Sequence, residues 1–149
     1  MKQRAVSIIV SQFMFLALFG LYTLSAMSVE TSCSNSAQQY WKAFRIAVLQ
    51  NDMSTLTKLS RFPFEIRGTL DESDKRQVLR QEFLRLFPAL LETDIGLSAT
   101  PTTIKSFLKT TTHLSPSFCN TYGNQFRVGV WVFELTPDGW RFVQAFVDE

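Results

Sequence analysis

The carboxyl-terminal stretch FRVGVWVFELTPDGWRFVQAFVDE, residues 126–149, restricts the fold more than any other part of the chain. Two apolar alternating segments flank TPDG, whose proline, aspartate and glycine come in the order that suits a type I turn followed by a left-handed residue. The pattern predicts a β-hairpin with Leu135 opposite Trp140, Phe133 opposite Phe142 and Trp131 opposite Gln144. Glu134 would then face Arg141 as a cross-strand ion pair. Trp131, Phe133, Phe142 and Phe146 fall on one face, and Val128, Val130, Val132, Val143 and Val147 on the other. A strand pair that is apolar on both sides needs cover on both. Its own helices supply one side, and a homodimer through the sheet face is the candidate for the other.

Helical periodicity marks the other half of the chain. In SAQQYWKAFRIAVLQND, Ser36 and Gln39 have capping-box spacing, and Tyr40, Phe44, Ala47 and Val48 share a face with Trp41 at its shoulder. Asp52 is placed to cap a short second helix, MSTLTKL. RFPFEIRG then reads as a strand. Pro63 holds Phe62 extended, Phe64 and Ile66 alternate with Glu65 and Arg67, and Gly68 permits the exit. SDKRQVLRQEFLRLFPALLE predicts a helix capped by Asp74 with Gln77, with Leu79, Phe83, Leu86, Phe87 and Leu90 on its apolar face. Pro88 must kink or restart it. TIKSFLKTTTHL, residues 103–114, suits a strand, a short helix or both in succession.

The amino terminus, MKQRAVSIIVSQFMFLALFGLYTLSAMSVETSC, has the layout of a secretory signal peptide. Lys2 and Arg4 precede an apolar run, and small residues stand at the −3 and −1 positions of a cut before Val29. An uncleaved anchor is the rival, since Ala5 to Ala26 is just long enough to span a bilayer. Cleavage leaves residues 29–149 as one domain, periplasmic or secreted, with no stable membrane span. The leader removes Lys2 and Arg4 but none of the 13 acids, so 15 cations become 13 and the formal charge falls from +2 to zero. With no basic stripe interleaved with aromatics, nucleic acid is not an expected partner. Cys33 and Cys119 are an even pair in an exported chain and read as one disulfide; two free thiols are the alternative.

YWKAFRIAVLQND, RFPFEIRG and DGWRFVQAF, in this order around a long helix carrying EFLRLFPALL, resemble the nuclear-transport-factor-two-like superfamily. The resemblance spans most of residues 37–147 but departs from the pattern within 97–118, where the middle strands are not cleanly visible. It implies an α+β fold in which a helical N-terminal part packs on a curved antiparallel sheet, forming a cone that ends in a long hairpin. It also implies a pocket at the open end of the cone, where enzymes of the superfamily place an acid, histidine or tyrosine of raised pKa.

No acid of this chain matches such a catalytic motif. The one histidine, His113, sits between threonines and a proline in TTTHLSPS, and Asp71 and Glu72 suit a turn or a first helical turn. No His, Cys or carboxylate cluster has ligand spacing, and there is no phosphate loop or nucleophile elbow, so neither metal nor cofactor is expected. Tyr40, Trp131 and Trp140 carry polar tips on apolar bodies and are the aromatic pocket candidates. Arg67, leaving a strand beside apolar neighbours, suits a carboxylate ligand or helix carbonyls. The expected function is binding of a small molecule or an exported protein. The alternative is a small isomerase or dehydratase using a pocket acid or His113.

Overall fold

A computed structural model describes residues 33–68, 75–95 and 100–147. Elements run in the order α1 (Asn35–Leu49), α2 (Met53–Leu59), β1 (Ser60–Gly68), β2 (Lys75–Val78), α3 (Arg80–Leu91) and α4 (Ile104–Thr110), a short 3-10 turn (Pro116–Phe118), then β3 (Gln125–Val128), β4 (Trp131–Thr136) and β5 (Gly139–Val147). The proposed cleavage site and the acids Asp71, Glu72 and Asp74 lie outside the described residues.

The fold is α+β, four helices packed on a five-stranded sheet that curls without closing. Strand order is β2-β1-β5-β4-β3. The sheet is mixed rather than wholly antiparallel, because β1 and β5 run parallel while the other pairs are antiparallel. A parallel pair needs a long crossover, and the chain between β1 and β5 supplies it through α3, α4 and the other strands.

Capping explains where the first helices begin. Ser34, not Ser36, caps α1, its Oγ accepting the Ala37 amide at 3.2 Å. Asp52 caps α2 as expected, accepting from the Thr55 amide at 2.9 Å and from the Thr55 hydroxyl at 2.6 Å. The buried face of α1 carries Tyr40, Trp41, Phe44, Ala47 and Val48. Phe44 stands at the centre of the core, with ring centroids 5.1 Å from Phe133 and 5.3 Å from Phe142.

Residues 75–78 depart from the helix expected there. They form β2, with Phe64 opposite Val78 and Arg67 opposite Lys75. The local capping pattern lost to the open edge of β1, whose amides and carbonyls gain partners when KRQV extends beside them. Helix α3 therefore starts later, with Leu79 at its N-cap, no side-chain cap, and Pro88 inside its last turns. Phe83, Phe87 and Leu90 are buried as expected, whereas Leu79 is 70% exposed. The described part of 97–118 is helical, α4 followed by the 3-10 turn, rather than middle strands.

The β4–β5 hairpin has the expected pairs Leu135 with Trp140 and Phe133 with Phe142. A bulge between Val132 and Phe133 then shifts the register, so Trp131 opposes Ala145 and not Gln144. Val143 is the extra residue. Beyond it the faces exchange: Ala145 is fully buried, Phe146 is only half-buried, and Val147 turns to the helix side. Glu134 lies opposite Arg141 as expected, but its ion pair is with Arg61 at 3.2 Å, and Arg141 donates to the Trp140 carbonyl. A second tight turn at Gly129–Val130 separates β3 from β4, which puts Val128 opposite Trp131 on the aromatic face rather than among the valines. Gly129 has φ 55°, and a Cβ there would stand 2.5 Å from the Ile95 carbonyl oxygen, so only glycine fits.

Cys33 and Cys119 form the disulfide, with Cα atoms 5.4 Å apart and a sequence separation of 86. It fastens the start of α1 to the segment whose Cys119 bridges Phe126 of β3. In the chain-entropy model a loop of this length stabilises by about 4 kcal/mol.

Candidate functional site

Between α3 and the β2–β1–β5 side of the sheet lies a cavity of about 320 Å³. Ile66 and Val147 form its strand wall and Leu86, Ala89 and Leu90 its helix wall. Two features of the chain open it. Ala145, the neighbour of Ile66 across β1 and β5, has no bulk to fill the space. On α3, Ala89 is likewise small, two residues beyond the buried Phe87.

The polar members of the lining are Arg76 and Thr93. Arg76 lies opposite Ile66 in the β1–β2 pair and therefore on the same face of the sheet. Its Nη2 donates to Glu82 Oε1 at 2.6 Å, with 56% and 37% of the two side chains exposed. The Thr93 hydroxyl donates to the Leu90 carbonyl. The site is an apolar pocket with one guanidinium at its rim, held by a carboxylate in partial contact with water. Such a site accepts an apolar body, and the guanidinium is geometrically suited to exchange Glu82 for a ligand anion.

The sequence-derived candidates sit elsewhere. Tyr40 is buried, its hydroxyl donating to the Leu59 carbonyl at 2.8 Å, and burial holds its pKa well above the usual tyrosine value against weaker pulls from the Phe142 backbone and Arg141. Trp140 is buried and donates to Ser36 Oγ at 3.1 Å. Tyr40 and Trp140 meet through Phe126, with centroids at 6.2 and 5.1 Å. Trp131 is fully buried between Phe44, Phe87 and Phe142, and its Nε1 has no hydrogen-bond partner. Arg67 is on the opposite face of the sheet, half-buried, with Nε 3.2 Å from Glu65 Oε1. None of the four lines the cavity.

His113 is exposed, with Nδ1 2.9 Å from the Thr112 hydroxyl. A second, polar cleft of about 430 Å³ at the tip of the β4–β5 hairpin is lined by Arg61, Glu134, Asp138 and Arg141 among others. Among the described residues, no group of three or more His, Cys, Asp or Glu side chains is placed to hold a metal ion, and no helix is long and apolar enough to cross a membrane.

Sequence reasoning misses Arg76 and Glu82 because the local capping pattern reads KRQV as part of the helix. In a helix the two side chains have no reason to meet over Ile66. Only the strand pairing of β2 carries Arg76 onto that face. No family model, curated protein or solved structure matches the chain.

Proposed function

We propose that this chain is an exported binding domain whose site is the cavity between α3 and the β1–β5 pair, and whose ligand is a small apolar molecule bearing one anionic group. The observation that carries this reading is the apolar cavity with the Arg76 guanidinium at its rim, paired to Glu82 at 2.6 Å. Export is supported by the disulfide, since such bonds persist in oxidising compartments, and by the amino-terminal leader pattern. The resemblance to nuclear-transport-factor-two-like proteins belongs to the same proposal, supported by the element order and by the first strand lying beside the last. The isomerase-like alternative has less support, because exposed His113 lines neither cleft and Glu82 is engaged by Arg76. A face-to-face homodimer is also less supported, because Val132 and Val143 on the outer side of the sheet are already buried within one chain.

Titration of octanoate into the oxidised protein, followed by amide shifts, tests the proposal. Shifts centred on Ile66, Leu86, Ala89 and Val147 are expected. Arg76→Gln is expected to weaken binding about tenfold, from the loss of a charge-assisted pair, and Ala89→Phe to abolish it by filling the space. Shifts confined to other parts of the molecule, or equal affinity in Arg76→Gln, would sink it.

A further inference from the structure

We infer that Glu82 sets the affinity and the charge selectivity of the cavity beside α3, by holding the place that a ligand's anionic group takes. The inference rests on the binding reading above and narrows its ligand class. The ligand is an apolar chain ending in a singly charged head, such as a carboxylate, and not in a doubly charged one, such as a phosphate monoester.

Glu82 belongs to the cavity by its position on the helix. Leu86, Ala89 and Leu90 of the helix wall follow it at spacings of four, seven and eight, so Glu82 continues their stripe toward the start of α3. Arg76 continues the strand wall in the same way. It is the lateral neighbour of Ile66, which in turn neighbours Ala145. The hydrogen bond from Arg76 Nη2 to Glu82 Oε1, 2.6 Å long, therefore joins the two walls at one end. Among the described residues Arg76 is the charged member of the lining. The walls between are apolar yet open to water, with Ile66, Leu86 and Val147 half-buried and Ala89 exposed.

Three features make the Arg76–Glu82 contact exchangeable. Glu82 takes one N–H of the guanidinium with one oxygen, whereas a free carboxylate can match two in the paired fork. Both side chains reach water, 56% and 37% exposed, so the pair is weakly held. Glu82 also stands in the first turn of α3, where the helix dipole favours negative charge with or without Arg76.

A ligand carboxylate thus replaces Glu82 and gains a second hydrogen bond. The released side chain remains a negative charge beside the ligand's head. A phosphate monoester, which carries about −1.5 to −2 at neutral pH, meets that repulsion more strongly than a carboxylate does. A neutral head leaves the Arg76–Glu82 pair intact and is indifferent to it.

Octanoate, octyl phosphate and octanol, titrated into the oxidised protein at neutral pH and followed by amide shifts, test the inference. Glu82→Gln is expected to bind octanoate about fivefold more tightly than the unaltered protein, and octyl phosphate more than about tenfold more tightly. Octanol is expected to bind both alike. Glu92→Gln removes a carboxylate from the α4 side of the same helix, where it pairs with Lys105 at 3.2 Å, and is expected to change none of the three. The expected result is a gain of affinity, which a misfolded variant does not give. The inference is overturned if octanoate shifts the cavity amides but Glu82→Gln binds it no more tightly, a result that leaves the pocket standing. It is equally overturned if Glu82→Gln tightens octanol as much as octanoate, or if octyl phosphate binds the unaltered protein at least as well as octanoate. Octanoate that shifts no cavity amide in either protein removes the pocket itself, and the inference with it.

Discussion

On the inner face of the sheet, Phe126, Trp131, Phe133 and Phe142 are fully buried, and Phe126 and Phe133 stack with centroids 4.5 Å apart. One residue along the same strands, Arg127, Glu134 and Arg141 reach water, and each finds an ion pair, a carbonyl or an aromatic ring. The two faces share every backbone hydrogen bond of the sheet, so the difference between them comes from side chains alone. The inner face holds the fold by excluding water from rings, a term that scales with area. The ion pairs of the outer face contribute little to stability, because exposed pairs are weak, although Val132 and Val143 beside them are buried. The bulge at Val143 decides where one face becomes the other.

The sharpest way to break this comparison is at the bulge. Ala145→Glu is expected to cost more than about 4 kcal/mol, since it buries a charge in the core, while Gln144→Glu stays within about 0.5 kcal/mol. Denaturant melts of the two variants test it; the opposite ranking would mean that Trp131 faces Gln144 after all. Next in size, Phe133→Ala is expected to cost about 4 kcal/mol, against less than about 1 kcal/mol for Arg127→Ala. Comparable losses would mean that the outer face also supports the fold.

Tyr40 sharpens the comparison through pH. Burial raises its folded pKa well above the ordinary value, so the fold retains the phenolic proton at a pH where the unfolded chain has lost it. Its contribution is whole below about pH 10 and is lost as pH rises from there through the raised folded value. Tyr40→Phe should cost about 1 kcal/mol at neutral pH, the net worth of its hydrogen bond, and flatten the alkaline limb of the stability profile. The smallest effect belongs to solvent-facing Asp52, whose pKa is lowered by the Thr55 hydroxyl and amide. Its contribution is present above the unfolded carboxylate value and is lost as pH falls through the lowered one. Asp52→Asn keeps the cap and should remove only that shallow acid limb.

Legibility in the sequence tracked how local each feature is. The hairpin turn TPDG, the pairs Leu135–Trp140 and Phe133–Phe142, the buried face of α1 and the Asp52 cap were all readable from neighbours in the chain, and the disulfide from an even cysteine count behind a leader pattern. The candidate pocket was not. Its two ionic residues lay in a segment whose capping pattern spoke for a helix, and the aromatic residues chosen for their polar tips turned out to fill the core.

By itself the sequence determined an α+β chain with a leader-like amino terminus, a disulfide and a terminal hairpin, because turn chemistry, capping and periodicity act over a few residues. The tertiary structure alone decided that KRQV is a strand, that β1 runs parallel to β5, and that Val143 bulges. Each of these depends on backbone groups far apart in the chain finding partners, and on the space left when two helices and a sheet close on one another. The cavity beside Arg76 and the charged face around Phe146 follow from those non-local choices.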